Sequence, residues 1–319
     1  MTSLSVVIPT RDRRDQVVRT VGAMLADPAV AELIIADDGS EDGTPEALQK
    51  GFGRDGRLRC LDAGGKGKAH AEQMALDAAT GEVVLFLDDD VLPGPGLAGG
   101  HVRHHEQRTG LIVVGYMPIV DIPAGPGFAA AKIYQRDYER ICRSWESDPD
   151  TILHNLWGGN VSLRREDAIR IGLQSSEFPG RARHVDRDFG LRCLREGLVG
   201  VFDRSLAAVH LYERPLDRMV AEARWQGTGL VHVHALHPDI IGPFHPRSLA
   251  KTATWQRAAV VRLGMSRVGH GPVVAALTLA SRLTGTFGRY DAELAITRLL
   301  RKSEQAFHAR REIERLKRP

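Results

Sequence analysis

Cysteine is scarce in this 319-residue chain: Cys60, Cys142 and Cys193 are the only three, odd in number and far apart. That excludes a disulfide framework and a cysteine metal cluster, and it predicts a reducing compartment and a cytoplasmic protein. An excess of one charge is also missing. The formal net charge is +3, from 43 Lys and Arg against 40 Asp and Glu, too little to argue for a nucleic-acid partner. Long apolar runs are absent as well. Near the C-terminus the longest stretch without Asp, Glu, Lys or Arg, residues 268–281, is too short for a transmembrane segment. The first apolar run, residues 4–8, has no basic leader or cleavage site before it, so no signal peptide is expected. No Gly-x-Gly-x-x-Gly follows that run, which argues against a dinucleotide-dependent dehydrogenase.

What is present begins with a soluble, globular composition, 43% hydrophobic and 26% charged. The first half alternates strand and helix signals. Residues 4–8, 32–36, 57–61 and 83–87 read as strands, and 16–25, a segment opening at Thr44-Pro45-Glu46, and 69–79 as helices. In that second helix Thr44 reads as the capping hydroxyl. Repeated βα units predict an α/β, doubly wound, mostly parallel sheet. Beyond residue 110 the alternation loosens. Strands are expected at 111–114, 160–163, 199–202 and 206–210, and helices at 128–145, 164–171 and 186–195. From Pro215 the chain turns helical, with Gly269–Pro272 as a break. The expected organisation is residues 1–235 as one domain (1–110 and 111–235 as its halves) followed by a helical extension, 236–319.

The chemistry concentrates in acids. Asp88, Asp89 and Asp90 follow the apolar run 83–87, at the carboxyl end of an expected parallel strand, where open α/β sheets bind ligands. Adjacent carboxylates repel one another, and a divalent cation relieves that repulsion. Oxygen ligands suit Mg²⁺ or Mn²⁺, and Mg²⁺ commonly shares itself between carboxylates and substrate phosphates. The competing reading is a solvated acidic turn. Asp37 and Asp38 end another strand, and Asp-Gly-Ser there is equally good turn chemistry. Asp186 and Asp188 open a helix, where each also reads as an N-cap or a partner for the helix dipole.

Five segments occur in order: Ser5-Val6-Val7-Ile8-Pro9-Thr10, Asp37-Asp38-Gly39-Ser40, Gly81-Glu82 before Leu87-Asp88-Asp89-Asp90, Gly158-Gly159-Asn160, and Asp186-Arg187-Asp188-Phe189-Gly190-Leu191-Arg192. Together they resemble an inverting family 2 glycosyltransferase of the GT-A fold, over roughly residues 3–230. The resemblance implies a nucleotide-diphosphate-sugar donor, bound by Pro9, Thr10, Asp37, Asp38, Lys68, Asp88 and Asp89. It implies a divalent cation on Asp90, joined by His210, and Asp186 as the general base. Trp157, Gly159, Asn160, Asp188, Arg224 and Trp225 fall on the acceptor side. Val185 stands where the family often has Glu, and Gly67-Lys68-Ala69-His70 stands in place of the family's Ala-Arg-Asn segment. By residue type alone Lys68 reads equally as a solvated lysine, His210 as a structural histidine, and the tryptophans as core. His232, His234 and His237 match no metal-binding helical spacing and read as structural. The rival functions are a nucleotidyltransferase of related fold and a non-catalytic sugar-nucleotide-binding protein. The acceptor is not specified by the sequence. The tail from Arg247 is expected to form a helical cap that packs on the catalytic domain or on a second subunit in a homodimer, and the sharper alternative is peripheral contact with an anionic membrane.

Overall fold

Three βα units open the chain. Strand β1 (Leu4–Thr10) is buried along its whole length, as a strand covered on both faces should be. Helix α1 (Arg14–Leu25) turns Val17, Thr20, Val21 and Met24 inward at helical spacing. Strand β2 (Glu32–Asp37), α2 (Thr44–Phe52), β3 (Leu58–Asp62), α3 (Lys68–Ala78) and β4 (Val83–Leu87) continue the alternation. The structure, a computed structural model, describes residues 2–317 except 121, 126, 176, 177, 179–182, 212–214 and 253. It divides into two units, Met1–Val120 with Arg140–Ser175 and Phe189–Tyr212, and Asp121–Glu139 with Ser176–Asp188 and Glu213–Pro319.

The first unit holds the whole sheet. After β4 come β5 (Val91–Pro93), α4 (Leu97–Gln107), β6 (Leu111–Tyr116), α5 (Phe128–Ser147), β7 (Asn160–Arg164), α6 (Arg165–Ile171), α7 (Val185–Arg195) and β8 (Val199–His210). Eight strands lie in the order β3-β2-β1-β4-β7-β6-β8-β5. β1 to β4, β6 and β8 run one way, and β7 and β5 run against their neighbours, so the sheet is mixed and mostly parallel. The α/β expectation holds.

Four local expectations are corrected. The two strands expected at 199–202 and 206–210 are one strand, β8, whose pairing with β6 slips between Gly115 and Tyr116. Ser205 causes the slip, since its backbone N–H and hydroxyl both turn back to donate to Asp203. Gly43, not Thr44, is the N-cap of α2, because the Thr44 hydroxyl donates to Asp42 instead. The break in the tail lies just before His270, so Gly271 and Pro272 sit in a first helical turn, where proline loses no hydrogen bond. Strand β5 and helix α4 were not expected. The first is three residues long, and the second carries Gly99, Gly100 and three histidines, so tertiary packing rather than propensity makes it helical.

The second unit is helical. It contains α8 (Leu216–Leu236), α9 (Pro238–Ile241), α10 (Trp255–Gly264), α11 (His270–Thr286) and α12 (Tyr290–Leu316). Helix α12 is its axis, with α8, α10 and α11 packed around it. Leu300 meets Ala130, Met219 and Val220, while Ala306 meets Ala250, Val261 and Met265. Gly227 lets α8 and α12 approach closely, since a Cβ there would stand 2.3 Å from the Gln305 carbonyl oxygen.

Candidate active site

The acidic triplet occupies the turn from β4 to β5, and each member has a different partner. Lys68 Nζ donates to Asp88 Oδ1 at 2.7 Å. Thr10 Oγ1 donates to Asp89 Oδ2 at 2.8 Å, and Arg13 Nη1 donates to Asp89 Oδ1 at 2.9 Å. Arg13 also bonds Asp90 Oδ2, and His210 Nε2 lies 3.1 Å from Asp90 Oδ1. Register places His210 there: β5 pairs Val91 with His210, and the Leu211 N–H donates to the Asp90 carbonyl at 2.7 Å. Thr20 of α1 braces the turn from below, its hydroxyl 2.6 Å from the Val91 carbonyl.

These surroundings split the pKa values of two neighbouring acids. Burial, with the Asp90 and Asp88 charges, pushes Asp89 up to about 6 against the pull of Arg13 and Thr10. Burial acts on Asp90 too, but the His210 hydrogen bond and the charges of His210 and Arg13 outweigh it and hold that carboxyl well below the usual range. Asp90 is therefore the ionised member that offers an oxygen beside an imidazole. A carboxylate with an imidazole is a donor set that fits Mn²⁺, or Mg²⁺ through the oxygen, leaving the remaining positions for substrate oxygens and water. Arg13 was missed in the sequence, where it is one of three arginines, Arg11, Arg13 and Arg14, that look alike after β1.

The other donor-side residues lie on the same unit. Pro9 and Thr10 end β1 beside Ala36 and Asp37 of β2. Asp37 takes the turn role: its carboxylate accepts from the Ser40 N–H at 3.1 Å and from the Ser40 hydroxyl. Asp38 instead accepts the Gly67 N–H at 2.8 and 3.0 Å, ordering the loop that leads into Lys68.

Gly159 touches the triplet directly. Its carbonyl accepts the Asp88 N–H at 3.0 Å, and a Cβ at its φ of +102° would stand 2.3 Å from Asp88 Oδ2. Asn160 is fully buried and heads a relay that sequence reasoning missed. Its amide donates to the Leu206 carbonyl at 3.0 Å, so its oxygen must accept from His101 Nε2 at 2.9 Å. His101 Nδ1 then accepts from the Ser162 hydroxyl at 2.8 Å, which in turn accepts from His105 Nε2 at 2.8 Å. Burial lowers both histidines, His101 to about 3 and His105 to about 4, so both are neutral. The available signal was His101 and His105 four apart on the inward face of α4. Trp157 is half-buried rather than core.

The second unit carries the remaining candidates. Asp186, in the first turn of α7, is exposed. Asp188 is buried and meets His237 Nε2 at 2.8 Å, a bond that ties α7 to the end of α8. Arg224 bonds the buried Glu304 at 3.2 and 3.3 Å, and Trp225 is 40% exposed. His232 bonds Glu312 and His234 bonds the Gly242 carbonyl, so with His237 all three histidines do the structural work expected of them. Among the described residues, three ligating atoms lie within 4.8 Å of one another at His270, Glu304 and His308. There Arg224 already neutralises the carboxylate.

A strand-end acidic triplet on a mixed, mostly parallel sheet, with a second acid pair opening a later helix, defines a GT-A type of protein. The model of glycosyl transferase family 2 matches residues 5–170, and the chain belongs to that family. A glucosyl-dolichyl phosphate glucuronosyltransferase of Haloferax volcanii is 24% identical over 253 residues, 74% of this chain and 79% of that protein. The uncharacterized glycosyltransferase YfnE of Bacillus subtilis is 28% identical over 191 residues, 58% of this chain, and the match spans only 44% of YfnE. Among solved structures, a mannosyltransferase of Pyrobaculum calidifontis in complex with GDP-Man and Mn²⁺ superposes with a TM-score of 0.61 at 17% identity, covering 98% of this chain and 87% of that one. Glucosyl-3-phosphoglycerate synthase of Mycobacterium tuberculosis, with Mn²⁺, UDP and glucosyl-3-phosphoglycerate, gives 0.51 at 19% identity, covering 73% and 79%. These two likenesses confirm the fold. No helix among the described residues is long and apolar enough to cross a membrane.

Proposed function

We propose that this chain is a metal-dependent, inverting glycosyltransferase that moves a sugar from a nucleotide-diphosphate-sugar to a hydroxyl or amine acceptor. The observation that carries the reading is the convergence of Asp38, Lys68, Asp88, Asp90, Arg13 and His210 at and beyond the carboxyl ends of β1, β2, β3, β4 and β8 in a chain of this family. Asp38, with Thr10 beside it, suits the base and ribose, because an ionised carboxylate accepts the N–H donors that pyrimidine and guanine bases present. Lys68, now paired with Asp88, is the cation placed to exchange that partner for a phosphate. Asp90 and His210 would hold the divalent cation, which as a Lewis acid neutralises charge on the leaving diphosphate. His210 and Arg13 together keep Asp90 ionised, and Arg13 also bonds its carboxylate.

Asp186 is the general base in this reading. Of the two acids opening α7 it is the exposed one, whereas Asp188 is buried against His237. General-base catalysis contributes about 10²–10⁴-fold, so Asp186→Asn should lower kcat by roughly 10²-fold or more with donor affinity unchanged. Asp38→Ala should do the reverse and weaken donor binding. Product analysis with a panel of nucleotide-sugars and Mn²⁺ separates the classes: nucleoside diphosphate marks glycosyl transfer, pyrophosphate marks nucleotidyl transfer, and no turnover with retained binding marks a sugar-nucleotide-binding protein. An Asp186→Asn protein that loses donor affinity but keeps kcat reverses the two roles.

A further inference from the structure

From residue 240 to residue 290 the chain has no aspartate or glutamate at all, in a sequence that elsewhere mixes the two signs evenly. The same stretch has seven bases: Arg247, Lys251, Arg257, Arg262, Arg267, Arg282 and Arg289. Helix α11 lies within it and is apolar on two sides, since Val274 and Leu277 pack against the Ala130, Met219, Val220 and Leu300 cluster while other apolar residues face out. Its inward side holds Val273, Ser281 and Gly285, with the Ser281 and Thr297 hydroxyls hydrogen-bonded at 2.7 Å. Its outward side holds Pro272, Ala275, Ala276, Leu279, Leu283 and, at the C-cap, Phe287, an apolar row at helical spacing. Leu279 is 59% exposed and Phe287 75%. Helix α10 and the turn after it add Trp255 at 76% and Val268 at 90%. Single exposed apolar residues are ordinary on a protein surface, but an aligned row on one helix is an interaction surface.

Charge decides what covers it. Arg267 and Arg282 are paired within the unit, with Glu314 and Asp217. Arg257, Arg262 and Arg289 are exposed, and no carboxylate of the described residues bonds them. A two-fold dimer through this face would set Arg257, Arg262 and Arg289, which have no carboxylate partner among the described residues, against their own copies, like charge on like charge. A surface rich in lipid phosphate has the opposite sign and an apolar layer beneath it. We propose that the α10–α11 face docks on an anionic lipid bilayer, with Leu279, Leu283, Phe287 and Trp255 entering the boundary between headgroups and acyl chains while Arg257, Arg262 and Arg289 meet lipid phosphates. The helices lie on the membrane rather than cross it, in keeping with their length and composition. The buried stripe of α12 is taken up by α8, α10 and α11 of the same chain, and that packing leaves the outward row of α11 uncovered.

Flotation of the full chain tests this without reference to transfer activity, so failure here and failure of the transferase reading show separately. The full chain should float with vesicles of phosphatidylglycerol and phosphatidylcholine, less so at moderate salt, and not with phosphatidylcholine alone. Trp255 emission should shift to the blue on binding, a change absent from a Trp255→Phe protein. The Leu279→Ser/Leu283→Ser/Phe287→Ser protein, altered only at exposed side chains, should lose binding at least tenfold while keeping its far-UV spectrum and melting temperature. Should that triple variant fail to fold, the single change Leu279→Glu makes the same test. Arg257→Gln/Arg262→Gln/Arg289→Gln should remove the salt-sensitive part. Absence of flotation, or equal flotation on neutral vesicles, overturns the proposal. So does a dimer in sedimentation that the triple variant dissociates, with no flotation, because a second copy would then cover the face.

Discussion

The two units handle buried charge in opposite ways. In the first, Asp88, Asp89 and Asp90 are crowded on consecutive residues, and Arg13 is shared between two of them. In the second, two buried acids have bases of their own from distant sequence: Glu304 has Arg224, and Glu312 has His232, each 80 residues away. Like charges held together are poised to bind a cation or an anion's counter-charge; opposite charges paired across helices hold the helices in place. Crowding of like charge works against stability in the first unit, and pairing across helices works for it in the second.

The comparison breaks most visibly at Asp90. Asp90→Asn should cut turnover to roughly a thousandth, the scale of losing a charged group aimed at developing charge, while the melting temperature stays at or above that of the wild type. Nucleoside diphosphate release and calorimetry together check it. Full activity in the variant, or in excess chelator, removes the triplet from the reaction. Glu304→Gln should show the mirror image. It leaves Arg224 without its carboxylate and should lower stability by about 1–3 kcal/mol, read as a urea midpoint, with turnover of the folded protein retained. A neutral result there would mean that the half-exposed Arg224 finds enough solvent to make the pair dispensable.

The smallest effect concerns the neutral histidines of α4. Their folded pKa values lie below the ordinary 6.5, so the unfolded chain binds more protons between about pH 6.5 and 3. Their contribution to stability is complete above that window and is lost as pH falls through it. His105→Gln should remove one such proton and shrink the drop in unfolding free energy between neutral and mildly acidic pH by about 1 kcal/mol. An unchanged drop would place the acid sensitivity elsewhere.

Legibility followed range. The strand ends bearing Asp37, Asp38 and Asp88–Asp90 were plain in the sequence because each is a continuous apolar run stopped by acids, a pattern complete within eight residues. Arg13 was not, because what distinguishes it from Arg11 and Arg14 is a contact 76 residues away. Strand β5 was invisible at three residues, and with it the reason His210 faces Asp90. The His101–Ser162–Asn160 relay joins α4 to β7, and no local pattern announces a bond across 61 residues. Helix α11 taught a different lesson: its apolar content was legible, but which side of the helix faced out was not.

The pairing of Asp90 with His210 spans 120 residues, and its consequence is one of timing during synthesis. The acidic triplet leaves the ribosome early, yet β8 must be made before β5 has a strand to pair with and before His210 can stand beside Asp90. Contacts this distant in sequence form slowly, because a long loop must close before they give any return. The Asp90–His210 pair is thus among the last parts of the first unit to assemble, and a nascent chain stopped short of residue 210 holds its three acids with no imidazole opposite them.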